Sequence, residues 1–152
     1  MRFTNIILTL TLLAVSSCGQ KEKLYTDEQL KNKIEKTVTS GQKILDLGLV
    51  ADFDWDSLLI ITPYANFDDT EENLDINLSR TEHVNMESRD DISQLIFYYN
   101  GEPTKMVEYP RYPGDFAFNK IEFTERDSAK FNIIVTIAEK TGADWITLEK
   151  RR

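Results

Sequence analysis

Leu95-Ile96-Phe97-Tyr98-Tyr99-Asn100-Gly101-Glu102-Pro103-Thr104-Lys105-Met106-Val107-Glu108-Tyr109 is the stretch that decides the fold class. An aliphatic and aromatic run leads straight into Asn100-Gly101. That dipeptide suits a two-residue hairpin, because both central positions of a type I′ turn take positive φ. The chain is expected to fold back there, with residues 105–109 as the return strand. Further along, Ile121 and Phe123 alternate with Glu122 and Thr124, and Arg126-Asp127-Ser128 reads as a turn. Phe131, Ile133, Val135 and Ile137 then alternate with Asn132, Ile134, Thr136 and Ala138, before Thr141-Gly142 turns the chain into residues 145–148. Period-two runs joined by short turns predict antiparallel sheet.

Upstream of the hairpin the pattern changes. Thr26 and Gln29 have capping-box spacing. Leu30, Ile34 and Val38 then line one face of a helix, with Lys31, Lys33, Glu35 and Lys36 on the other. Ser40-Gly41 is a break. Ile44, Leu45, Leu47, Leu49 and Val50 form a second apolar patch, bent near Gly48. Residues 53–62 read as a strand that alternates first and then becomes continuously apolar, as a strand buried on both faces does, and Pro63 ends it. Carboxylates at residues 68–72 predict a helix start, with Leu74 and Leu78 in register and Ile76 offset. Residues 79–91 read as loop. Helices followed by linked strands predict one α+β domain over residues 26–152. It has an N-terminal helix or helices packed on a mainly antiparallel sheet of about five to six strands.

The chain has 152 residues, 18 basic and 26 acidic, for a net charge of −8, with one His and one Cys. One Cys excludes an internal disulfide, a CxxC pair and a thiolate zinc site. One His excludes multi-histidine metal motifs. No basic cluster is present, so nucleic acid is not an expected partner. At 41% hydrophobic residues the chain can bury a core.

The N-terminus carries an address. Arg2 precedes an apolar run over residues 6–15, too short to cross a bilayer and suited to a signal peptide. Val15-Ser16-Ser17-Cys18 resembles the bacterial lipobox. That resemblance implies a signal peptide over residues 1–17 and a lipid on Cys18. Residues 18–25 then form a short tether, whose five polar residues 19–23 reach about 17 Å when extended. The alternative is an ordinary signal peptide with an incidental Cys. The mature chain would carry 17 basic and 26 acidic side chains, a net −9. The expected location is the cell envelope, anchored through Cys18. Gly19 stands where an Asp would resemble the inner-membrane retention signal of enteric bacteria, which favours an outer membrane if the source has one.

Residues 52–91 hold 12 acids against Arg80 and Arg89, a net −10, and the rest of the mature chain is nearly neutral. This stretch is expected to face away from anionic lipid and to steer a basic protein, or simply to be a solvated face. Asp52, Asp54 and Asp56 have the D-x-D-x-D spacing of an EF-hand, but Ser57 and Pro63 occupy the positions that need Gly and Glu, so no metal is assigned. Tyr109-Pro110-Arg111-Tyr112-Pro113-Gly114-Asp115-Phe116 is a stiff loop. Tyr109 and Tyr112 offer stacking faces and Arg111 offers a donor fork to a carboxylate, a set that suits a glycan or a peptide. Its structural alternative is a rigid crossover with Arg111 paired to Asp115. No nucleophile elbow or phosphate loop is present, and His83 lies in a polar stretch.

Phe53-Asp54-Trp55-Asp56, Thr62-Pro63-Tyr64, Tyr109-Pro110-Arg111 and Gly114-Asp115-Phe116 resemble a group of small uncharacterised bacterial lipoproteins. The resemblance implies an exported α+β domain and no established activity. Asp56-Ser57-Leu58 and Asp127-Ser128-Ala129 also resemble the O-glycosylation sites of Bacteroidetes proteins. The expected role is a non-enzymatic, lipid-anchored module that binds a basic protein or a glycan and needs no cofactor. The alternatives are an immunity or inhibitor protein against a basic toxin or hydrolase and, more remotely, a carboxylate-dependent hydrolase.

Overall fold

The computed structural model describes residues 22–65, 76, 78, 80–81, 86–117, 121–138 and 141–151. Cys18, the helix start expected at residues 68–72, and His83 lie outside the described residues. The element order is α1 (Glu28–Thr39), β1 (Ile44–Asp46), α2 (Leu47–Val50), β2 (Ser57–Ile61), β3 (Ile92–Tyr99), β4 (Glu102–Pro110), β5 (Asp115–Phe116), β6 (Ile121–Glu125), β7 (Lys130–Ile137) and β8 (Asp144–Lys150). Single 3-10 turns at Met86–Ser88 and Arg126–Ser128 precede β3 and β7.

The sheet-dominated reading holds, but its detail does not. Among the described residues, eight strands form two four-stranded sheets, ordered β4-β3-β2-β6 and β1-β7-β8-β5, where about five to six strands in one sheet were expected. The strands that the alternation did not reveal are β1 and β5, of three and two residues. So short a segment shows no period and is held by its partner: β1 by β7, and β5 in parallel by β8. Helix is also scarcer than expected. The apolar patch at residues 44–50 divides into β1 and the four-residue α2.

The Asn100-Gly101 turn forms as read, with φ of 52° and 74°. The helix N-cap is Asp27, not Thr26: its carboxylate accepts from the Leu30 N–H at 3.0 Å. Thr26 is taken up by a bridge to Met106 along β4, where its hydroxyl accepts from the Glu108 N–H at 3.3 Å. β2 starts at Ser57, so Asp52, Asp54 and Asp56 precede the strand and do not share one of its faces.

The sheet containing β2 and β3 is buried on both sides, which accounts for the continuous apolar runs. Leu58, Ile60, Leu95, Phe97, Val107 and Tyr109 point into a core shared with α1 and the second sheet. Leu59, Ile61, Ile96, Tyr98 and Met106 point the other way, against Leu78 and Met86. Met86, from the stretch read as polar loop, thus joins Leu78 in covering that sheet face.

Candidate functional site

The Tyr-Pro loop leaves the end of β4 and is fixed from both sides. Tyr109 and Phe116 are buried, ring centroids 5.8 Å apart edge to face, and Phe116 meets Phe131 at 5.1 Å. Burial pushes the Tyr109 phenol upward, so it stays protonated. Gly114 lies in the tightest approach: a Cβ there would meet Val38 Cγ1 at 3.0 Å and the Tyr109 hydroxyl at 3.1 Å. The Arg111 guanidinium donates twice to Asp115, at 2.9 and 2.6 Å, and once to the Asp90 carbonyl at 3.0 Å. Its backbone N–H donates to the Asp91 carbonyl at 2.9 Å. The Asp115 hydrogen bonds raise the Arg111 pKa further. The internal Arg111–Asp115 pairing is thus realised, which makes Arg111 a strut that sets the loop.

What the loop offers outward is aromatic. Tyr112 is 62% exposed and Tyr64 is 57% exposed. Tyr64 lies within electrostatic range of the Arg111 guanidinium, which also sits 5.9 Å from the centre of the Trp145 ring. Tyr64 holds a positive φ of 64° while its N–H donates to the Met86 carbonyl at 2.7 Å. Left-handed backbone is uncommon for a bulky residue and collects at functional sites. The sequence singles out Tyr109, Arg111, Tyr112 and Asp115, of which Tyr109 is buried and offers no stacking face, and it misses Tyr64 and Trp145, which come from the end of β2 and from β8. Only the Thr-Pro-Tyr motif hinted at Tyr64.

Asp52, Asp54 and Asp56 sit at the opposite end of β3. Asp52 pairs with Lys33 at 2.8 Å, whose hydrogen bond lowers its pKa. Asp56 accepts from the Asn100 N–H at 2.6 Å and from the Ser57 hydroxyl at 2.7 Å, contacts that lower its pKa in that order. Asp54 is exposed. Asp90 and Asp91 lie beside Arg111, about 23 Å away along β3. The described acids of this segment thus lie at both ends of β3. Among the described residues no His, Cys, Asp and Glu group is arranged to hold a metal ion.

An open groove of about 600 Å³ lies between β2 and the β6–β7 turn, lined by Trp55, Asp56, Ser57, Phe123, Glu125, Arg126 and Asp127. Arg126 braces its floor. It donates to the Phe53 and Trp55 carbonyls at 3.4 Å and to Gly48 at 3.2 Å, with its guanidinium 5.3 Å from the Trp55 ring centre. Asp56 is held ionised by its donors and is no general acid of the raised-pKa kind. No protein-family model, no curated protein and no solved structure matches the chain.

Proposed function

We propose that this protein is an exported, lipid-anchored binding module that recognises a protein partner through Tyr112 and Tyr64 around Arg111. The observation that carries the reading is the placement of the loop relative to the first described residues. Leu24 bridges to Thr81. Arg80 donates to the Glu22 carbonyl at 3.1 Å and to the Pro103 carbonyl at 2.8 Å. The chain thus meets the domain at the start of β4, and the Tyr-Pro loop leaves from its end. Nine residues of strand separate the two, about 26 Å. Fully extended, the backbone from Cys18 to Glu22 reaches about 14 Å. A lipid on Cys18 would hold the first end at the membrane and direct the aromatic end outward. Tyr, Trp and Arg on a rigid support are the side chains that dominate protein interfaces, and little ordering would be required of this loop on binding.

A photo-crosslinking amino acid at position 112, compared with one at the exposed helix position 32, tests this in intact cells. A discrete protein adduct from position 112 alone, lost on Tyr64→Ala, is expected. Adducts from position 32 only, or from neither, overturn the reading.

A further inference from the structure

Edge strands that offer free backbone groups are usually covered or blunted, and this fold does so selectively. Thr26 and Asp27 lie along the outer edge of β4: Thr26 bridges to Met106, and the Asp27 N–H donates to the Met106 carbonyl at 2.8 Å. The opposite edge of the same sheet, β6, pairs among the described residues with β2 alone. The Arg126 N–H donates to the Asp56 carbonyl at 2.8 Å, and with the Ser57↔Glu125 register this turns Glu122 and Thr124 toward β2. The N–H and C=O groups of Ile121, Phe123 and Glu125 consequently point away from the sheet. A long 3.4 Å bond from the Thr124 hydroxyl to the Glu125 carbonyl is their one other contact among the described residues. Phe123 is 45% exposed beside the groove. Glu125 and Asp127 are exposed and, among the described residues, have no ion-pair partner.

The geometry points to β6 as a docking edge for an extended basic peptide segment, which adds as a fifth strand and lays alternate side chains into the groove. Backbone pairing supplies the affinity in this mode and side-chain pockets the selectivity. An apolar residue would pack on Phe123, and a Lys or Arg one pleat along would meet Glu125 and Asp127. The same carboxylates oppose a second copy of this chain, which would bring like charges together across the new strand pair. This site is separate from the Tyr-Pro loop and does not depend on it.

The test uses the full-length protein in detergent micelles with two acetylated peptides of ten residues, one repeating Lys-Lys-Val-Val and the other Glu-Glu-Val-Val, so that charged and apolar side chains alternate along each face. The Lys–Val peptide should bind and should slow hydrogen exchange at the Phe123 and Glu125 amides. Glu125→Lys with Asp127→Lys should weaken it about tenfold or more, while Tyr112→Ala should leave it unchanged. Phe123→Pro removes an outward-facing donor and no bond to β2, so it should abolish binding while cooperative unfolding persists. Equal binding of the Glu–Val peptide, binding without protection of those amides, or loss of binding in Tyr112→Ala would each overturn the assignment. A peptide-free dimer that protects the same amides would do so too.

Discussion

Asp27 ties α1 to β4 through one side chain and one backbone group. It caps α1, pairs with Lys105 on β4, and donates its N–H to the Met106 carbonyl. Burial alone would raise its carboxyl pKa, but the Lys105 and Leu30 hydrogen bonds outweigh it and leave the group below the ordinary value. The contribution is therefore fully present above the unfolded-state pKa of about 3.9 and is lost as pH falls through the lower folded value. Asp27→Ala should lower stability by about 1–2 kcal/mol at neutral pH. Asp27→Asn keeps a cap but not the ion pair, so its thermal midpoint, followed by circular dichroism, should fall less steeply below pH 4 than that of the parent. Gly114 teaches a different lesson. The sequence marks it as a sharp turn, yet its φ is not positive. What forbids a side chain is the approach of Val38, Tyr109 and Leu148. Gly114→Ala should destabilise by about 1–3 kcal/mol, measured by urea unfolding, through overpacking.

Elements were legible where burial is two-sided or a turn is chemically unique. The run Leu58-Leu59-Ile60-Ile61 announces β2 because alternate residues enter two different cores, and Asn100-Gly101 announces its hairpin. Alternation misleads about β7. Phe131 is buried, but Val135 on the same face is 58% exposed, because the β7–β8 hairpin runs past the core. Ile96→Ala should accordingly cost about 2–5 kcal/mol, and Val135→Ala about 0.5 kcal/mol or less. Comparable losses in urea titrations would mean that the hairpin face is covered. The N-cap was misread for a similar reason. Thr26 and Asp27 both suit capping, and the bridge from Thr26 to Met106, a contact across 80 residues of chain, decides between them.

At the scale of the molecule, the Tyr-Pro loop was visible as a contiguous motif, whereas its partners Tyr64 and Trp145 were not, since three chain segments converge there. The charge also resists a reading by segment. Arg80, inside the acidic stretch, grips the Glu22 carbonyl, and Asp52 is matched by Lys33 from α1. The first described residues are thus held to the domain through backbone contacts and an Arg. Among the described residues no helix is long and apolar enough to cross a membrane. For the lipid proposed on Cys18, two physical signatures separate such an anchor from adsorption. Acyl chains hold through buried methylene groups, at about 0.8 kcal/mol each, and are insensitive to salt. Charge attraction is screened within about 10 Å at moderate ionic strength. The protein should therefore remain in the membrane fraction through a high-salt wash and leave it only with detergent. Cys18→Ala should appear in the soluble fraction with its unfolding midpoint unchanged. Release of the parent protein by salt, or retention of Cys18→Ala, would assign attachment to the domain surface instead.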